Sequence, residues 1–236
     1  MFAMSNLAFH HIFAPSEKSL EIIKPLLERT VNSGVLDKLD GFYITITGDN
    51  REFIANNIRS VSSKFTVNLT DSNDSERVTL HKLHSLVKPE DKVLYFHSKG
   101  TSQMDSSLLT NIKAWTDKLT YFVVDKHQEC IDFLEEYDLV GPNYWGEFTP
   151  DSCRQSCDQE KNPPPHFSGN FWWAKGSHIN RLTVPIGPEY NDPEFWVFTQ
   201  KPLKLVAMNV ITTNPYTDKH EFESYKDEKP RLTRLD

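Results

Sequence analysis

The 236-residue chain is short of cysteine, glycine and positive charge, and each shortage removes a class of protein. Its three cysteines, Cys130, Cys153 and Cys157, are an odd set, and the last two are spaced CxxxC rather than CxxC. Neither a disulfide framework nor a paired zinc site is expected from them. Nine glycines include no GxxxxGK[ST] run, so a P-loop nucleotide hydrolase is not expected. A net charge of −7 argues against a nucleic-acid partner, which needs a basic face. No uninterrupted apolar run approaches the roughly 18 residues of a spanning helix, so no membrane span is expected. The opening MFAMSNLAFHHIF lacks a basic n-region and is not expected to be a signal peptide. A reducing, cytoplasmic setting follows as the simplest expectation.

What remains is an ordinary balance of 38% hydrophobic and 25% charged residues, with a high aromatic share of 12%. Through the first ~140 residues the pattern alternates between strand and helix. Strands are expected at Leu7–Phe13, Gly41–Thr47, Phe65–Leu69 and Val93–Phe96, and helices at Ser19–Val31, Arg51–Val61 and Glu76–Leu86. Leu108–Tyr137 reads as a long helical region broken once, and Asp138–Pro142 as a short strand. Asn143–Pro165 is polar and proline-punctuated, hence a long loop that can act as a lid. His166–Ala174 then reads as one strand, Ser177–Leu182 and Pro193–Thr199 as short helices, and Leu203–Val210 as the last strand. The fold class expected is α/β, a Rossmann-type, mostly parallel sheet flanked by helices with a less regular second half. Residues 1–213 are expected to form one domain and 214–236 an extended charged tail.

Three stretches carry chemistry. The central strand Val93–Phe96 runs into His97-Ser98-Lys99-Gly100-Thr101-Ser102, at the strand end where open α/β sheets bind ligands. A lysine beside hydroxyls and a glycine suits phosphate; a solvated turn is the plain alternative. In His166-Phe167-Ser168-Gly169-Asn170-Phe171-Trp172-Trp173-Ala174, polar groups adjoin aromatic faces, which suits a sugar ring, though aromatic runs are usually core. In Glu189-Tyr190-Asn191-Asp192-Pro193-Glu194, two carboxylates near aromatics can supply a general base, or simply start a helix at Pro193. Asp71, Asp74 and Glu76 stand near the third strand's end, where a base or ribose would bind, and read first as a polar turn. His220 stands alone in the tail, either solvated or reaching back to a metal or pyrophosphate.

Taken together, Ser33-Gly34-Val35, Tyr95-Phe96-His97-Ser98-Lys99-Gly100-Thr101-Ser102, Trp115, Asp138-Leu139-Val140-Gly141 and Phe167–Ala174 make the chain resemble GT-A-like glycosyltransferases of bacterial and large-virus polysaccharide synthesis, related to the rhamnan synthesis F type. The resemblance implies transfer of a sugar from a nucleotide-sugar donor to an acceptor glycan. It implies that His97, Lys99, Gly100, Gly169 and Asn170 line the donor, with Asp49 or Asp71 near base or ribose. Glu194, or secondly Asp192, would be the base, Lys99 would steady the departing diphosphate, and Trp115, His166, Trp172 and Trp173 would face the acceptor. Such enzymes commonly hold Mn²⁺ or Mg²⁺ on an Asp-x-Asp after the central strand. Here that place carries His97-Ser98-Lys99, which leaves His97 and His220 as the metal candidates. The rival expectation is a non-catalytic carbohydrate- or protein-binding module on the same fold.

Overall fold

The computed structural model describes residues 4–72, 74–156, 163–218 and 220–236. In chain order the strands are β1 Asn6–Phe13, β2 Gly41–Thr47, β3 Phe65–Leu69, β4 Lys92–His97, β5 Leu139–Gly141, β6 Tyr144–Trp145, β7 His166–Phe167, β8 Trp172–Lys175, β9 Leu203–Ala207 and β10 Arg231–Leu235. The main helices are α1 Leu20–Asn32, α2 Arg51–Ile58, α3 Arg77–Leu86, α4 Leu109–Thr120 and α5 His127–Phe133. Short ones follow: α6 Asp151–Ser156, α7 Gly176–Ile179, α8 Asp192–Phe195 and α9 Phe222–Tyr225.

Eight strands form one sheet in the order β10-β9-β5-β8-β4-β1-β2-β3. The run β3-β2-β1-β4 is parallel, the order of a doubly wound half, and β5 pairs parallel with β9. The expected α/β, mostly parallel sheet flanked by helices is therefore what the chain forms. Strand alternation explains the layering. Ala8 and Ile12 of β1, Leu94 and Phe96 of β4, Trp173 of β8 and Val206 of β9 face one core, covered by α1, α2, α4 and α5. Phe9, Val93, Tyr95, Trp172 and Leu205 face the other, covered by α3, α7 and the turn Trp196–Phe198.

Three expectations need correction. His166–Ala174 is not one strand: Gly169 (φ 100°) and Asn170 (φ 55°) are both left-handed, which breaks extension. β7 leaves to pair with β6, while β8 enters the main sheet antiparallel between β4 and β5. The long helical region is broken once, as expected, by a π-helical turn at Tyr121–Asp125, where Cys130 Sγ donates to the Phe122 carbonyl at 3.2 Å. The stretch 143–165 is not bare loop, since it holds β6 and α6. Cys157 lies outside the described residues, and Cys153 is a buried thiol.

Residues 214–236, read as an extended tail, instead contribute α9 and the antiparallel edge strand β10. The charged, proline-broken sequence hides Tyr225, which is buried against Tyr121 and Phe122 of the α4 side. Lys118 and Glu228 add an ion pair at 3.8 Å.

Candidate functional site at the strand ends

The carboxyl ends of β1, β2 and β4 open into a cleft of about 480 Å³. Its walls include His11, Thr47, Gly48, Glu76, His97 and Lys99, with the 98–103 loop beside them. The loop is held firmly. Buried Ser98 accepts the Phe13 N–H at 3.1 Å, and Thr101 Oγ1 donates to the Ser98 carbonyl at 3.2 Å. Gly100 sits at φ 94°, with Ile112 Cγ2 2.9 Å from where a Cβ would stand. A side chain there would be strained and crowded at once.

Lys99 lays its ammonium 4.0 Å from the centroid of the Trp115 ring, within cation–π range. Burial draws its pKa below the ordinary lysine value, while Glu194 and Glu76 oppose that shift. The lysine therefore sits on an apolar ledge with two carboxylates in its field.

Those carboxylates organise the site. Glu76, at the amino end of α3, accepts hydrogen bonds on Oε2 from the Tyr95 hydroxyl and the Asn170 amide, both at 2.8 Å. Its Oε1 lies 3.5 Å from His97 Nδ1. Burial raises the Glu76 carboxyl, but His97, His11 and the two donors outweigh it and leave it below its ordinary value. His97 Nε2 donates to the Gly169 carbonyl at 3.0 Å, and burial lowers the imidazole despite the opposing pull of Glu76. Burial likewise brings His11 down to about 4. On the other side of the Gly169 turn, Glu194 accepts the Gly169 N–H. Asn170 also donates to the Pro193 carbonyl at 3.3 Å. The left-handed pair at 169 and 170 thus ties α3, β4 and α8 into one network.

The expected residues do not all reach the cleft. His97, Lys99 and Gly100 line the cleft, and Gly169, Asn170 and Glu194 adjoin it through hydrogen bonds that lead to His97 and Glu76. Asp192 accepts the Glu189 N–H on Oδ2 at 2.8 Å, a local turn contact; exposed Asp71 pairs with Arg51, and Asp49 is exposed. None of these three lines the cleft. Trp172 and Trp173 are fully buried, one in each core, because successive residues of a central strand face opposite layers. Their indole nitrogens donate to Asn170 Oδ1 and the Val123 carbonyl. Trp115 is 2% exposed and serves Lys99 as a base plate. His166 is buried between Trp145 and Phe195. These four do not present an acceptor surface. His220 is buried beside the tail, where burial and then Lys118 lower its pKa.

Sequence reasoning missed His11, Tyr190 and Tyr216 altogether, and passed over the roles of Glu76 and Tyr95, which it had named. Glu76 was masked by the polar turn around it, and Tyr95 by the apolar strand that carries its hydroxyl. Tyr190 and Tyr216 had no sequence signal beyond being aromatic.

Among the described residues no three His, Cys, Asp or Glu side chains converge as ligands. His97 commits Nε2 to the Gly169 carbonyl, and its Nδ1 faces Glu76 Oε1 at 3.5 Å. Among the described residues these donors do not make up a ligand set for a divalent ion at the strand end, and Lys99 is the lysine in the cleft wall.

Fold and site together describe an α/β protein with a strand-end cleft whose described wall holds the Lys99 ammonium and the half-buried Glu76 carboxylate. A family model, described as a domain of unknown function (DUF8361), matches residues 9–221, and the chain belongs to that family. The rhamnan synthesis F resemblance is not shown by this match. No curated protein matches the chain. Among solved structures, it is similar to 4-diphosphocytidyl-2C-methyl-D-erythritol synthase from Anaerococcus prevotii, at 10% identity and TM-score 0.48, covering 94% of this chain and 93% of that one. It is also similar to Rv0371C of Mycobacterium tuberculosis complexed with manganese, at 13% identity and TM-score 0.43, covering 94% and 97%. A mannose-6-phosphate isomerase from Helicobacter pylori aligns at 10% identity and TM-score 0.44, covering 74% and 72%. The fold assignment rests on the strand order itself. Among the described residues no helix is long and apolar enough to cross a membrane.

Proposed function

We propose that the protein is a glycosyltransferase that moves a sugar from a nucleoside-diphosphate sugar to a hydroxyl of an acceptor glycan. The observation that carries this is Lys99, a partly desolvated ammonium seated on Trp115 at the carboxyl ends of parallel strands, with hydroxyls of the 98–103 loop around it. A fixed cation in a low-dielectric wall is suited to stabilise charge that develops on a departing diphosphate. The nucleoside end would then lie over Thr47, Gly48 and Ser72, with Asp49 and Asp71 outside the cleft wall. Glu194 keeps one oxygen beyond its bond to Gly169 and is the base of this scheme. As the acceptor oxygen bonds to the anomeric carbon, its proton passes to Glu194 and the C–O electron pair leaves with the diphosphate. Asp192, whose Oδ2 holds the Glu189 N–H, is the weaker choice.

A non-catalytic binding module on this fold has one observation in its favour: both carboxylates considered as bases carry local structural bonds. Incubation with a panel of nucleotide sugars and saccharide acceptors, with and without Mn²⁺, separates the two by release of nucleoside diphosphate. Lys99→Ala is expected to lower kcat by about 10²–10³. Saccharide binding without donor turnover under every condition would leave the binding module, and no donor binding at all would remove the transferase.

A further inference from the structure

Two tyrosines from distant parts of the chain stand at the mouth of the same cleft. Tyr190 is 94% exposed and Tyr216 44%, although large aromatics are costly to leave in water. They arrive from opposite sides of the sheet. The Tyr190 loop is anchored to the α3 side, where Arg77 Nε donates to the Gly187 carbonyl at 2.7 Å and its guanidinium also reaches the Glu189 carbonyl. Tyr216 is anchored to the α4 side, where its carbonyl accepts from Asn111 Nδ2 at 2.8 Å and its ring meets Trp115 edge-on at 5.4 Å. The backbones are pinned while the rings are left open, so the cost of ordering them has already been met.

The position within the cleft narrows what the rings can hold. Tyr216 packs on the same Trp115 that carries Lys99, so the pair lies beside the phosphate end, over β4 and β8. The ends of β2 and β3, where a nucleoside would lie, are further along the strand order. Burial raises the Tyr216 phenol, and the neighbouring Tyr190 and Glu194 add to the shift. Glu194 is the carboxylate felt by the Tyr216 phenol, and its charge disfavours an anionic ring at that position.

We infer that Tyr190 and Tyr216 form an aromatic clamp for a neutral sugar ring, the acceptor saccharide, presented beside Glu194. This assignment rests on the proposed transfer for the word acceptor, while binding of the sugar itself is independent of it. The C–H faces of a pyranose stack on the phenol rings, and the cleft supplies polar partners for its hydroxyls.

Saturation-transfer NMR tests this with methyl β-D-glucopyranoside, methyl α-L-rhamnopyranoside and methyl β-D-glucuronide, each added with and without UDP, GDP or CDP. Ring protons of a neutral glycoside are expected to be saturated by the wild-type protein. In the double variant Tyr190→Ala/Tyr216→Ala its apparent affinity should fall roughly tenfold, the scale of a lost aromatic contact. Tyr190→Phe/Tyr216→Phe should retain the signal, and the glucuronide should give none. Three results overturn the clamp: no saturation of a neutral glycoside, equal saturation in the alanine variant, or loss confined to the nucleoside protons. Failure of the donor reading appears separately, as absence of any nucleoside-diphosphate signal from the wild type. A tyrosine-dependent glycoside signal in that case would keep the clamp without the transfer.

Discussion

At the scale of single residues, Glu76 does more than its sequence context suggests. One carboxylate holds Tyr95, Asn170 and His97, which come from β4 and the turn before β8. Removing it leaves a buried hydroxyl and amide without their acceptor, and such groups are costly to orphan. Glu76→Ala is expected to lower stability by about 2–3 kcal/mol, measured by urea unfolding. It should also lower the His97 pKa further, since Glu76 is the strongest influence raising it; an NMR titration of that imidazole reads this directly. An unchanged His97 titration would mean that the two side chains are not coupled.

Glycine supplies a matched pair of tests at the same scale. Gly34 and Gly169 are both left-handed, at φ 81° and 100°. A Cβ at Gly34 meets nothing within 4 Å, whereas at Gly169 it would stand 2.5 Å from Leu119 Cδ1. Gly34→Ala is expected to cost about 1 kcal/mol, the conformational term alone. Gly169→Ala should cost about 2–4 kcal/mol once overpacking is added, and should weaken ligand binding because the His97 and Glu194 bonds converge on that residue. Equal losses at the two positions would contradict the packing described around the turn.

Among the secondary-structure elements, α4 is the one whose surroundings the sequence misrepresents. Its inner face packs into the core through Trp115 and Leu119, while the end of the chain covers another face. Tyr225 packs on Tyr121 and Phe122, and buried Lys118 pairs with Glu228. Tyr225→Ala is expected to destabilise the protein by about 3 kcal/mol, as for a buried aromatic, measured by thermal and denaturant unfolding. In a loose tail the same change would be nearly silent. The same stretch delivers Tyr216 to the cleft, so the segment contributes to both packing and site.

At the scale of the whole molecule, the buried histidines set the pH response. His11 falls from 6.5 to about 4 in the folded chain, and burial lowers His10 as well. Each is held neutral when folded and binds its proton more readily when unfolded. Their contribution to stability is therefore complete above about pH 6.5 and is lost as pH falls toward 4. Glu76, depressed in the folded state, has the same sign and loses its contribution at lower pH. The melting temperature is expected to drop steadily from pH 7 to about pH 4, and His11→Gln should flatten that slope. A melting temperature independent of pH over this range would contradict neutral burial of His11.

The amino-acid sequence by itself determined the first half of the sheet. β-Branched and aromatic runs, glycine stops and helical spacing are local signals, and β2 and β3 were expected at the bounds observed. It also located the strand-end loop with Lys99, because a cation after a central apolar strand is legible without neighbours. Tertiary structure decided the rest. Two adjacent left-handed residues at 169 and 170 turned one apparent strand into two elements in different sheets, and burial on both faces took Trp172 and Trp173 from ligand wall to core. Glu76 and His97 meet across 21 residues of sequence, and Tyr190 and Tyr216 flank one opening from opposite layers. Contacts of that kind depend on how strands are ordered and which face each side chain takes, and neither is written in the local pattern that surrounds the residue.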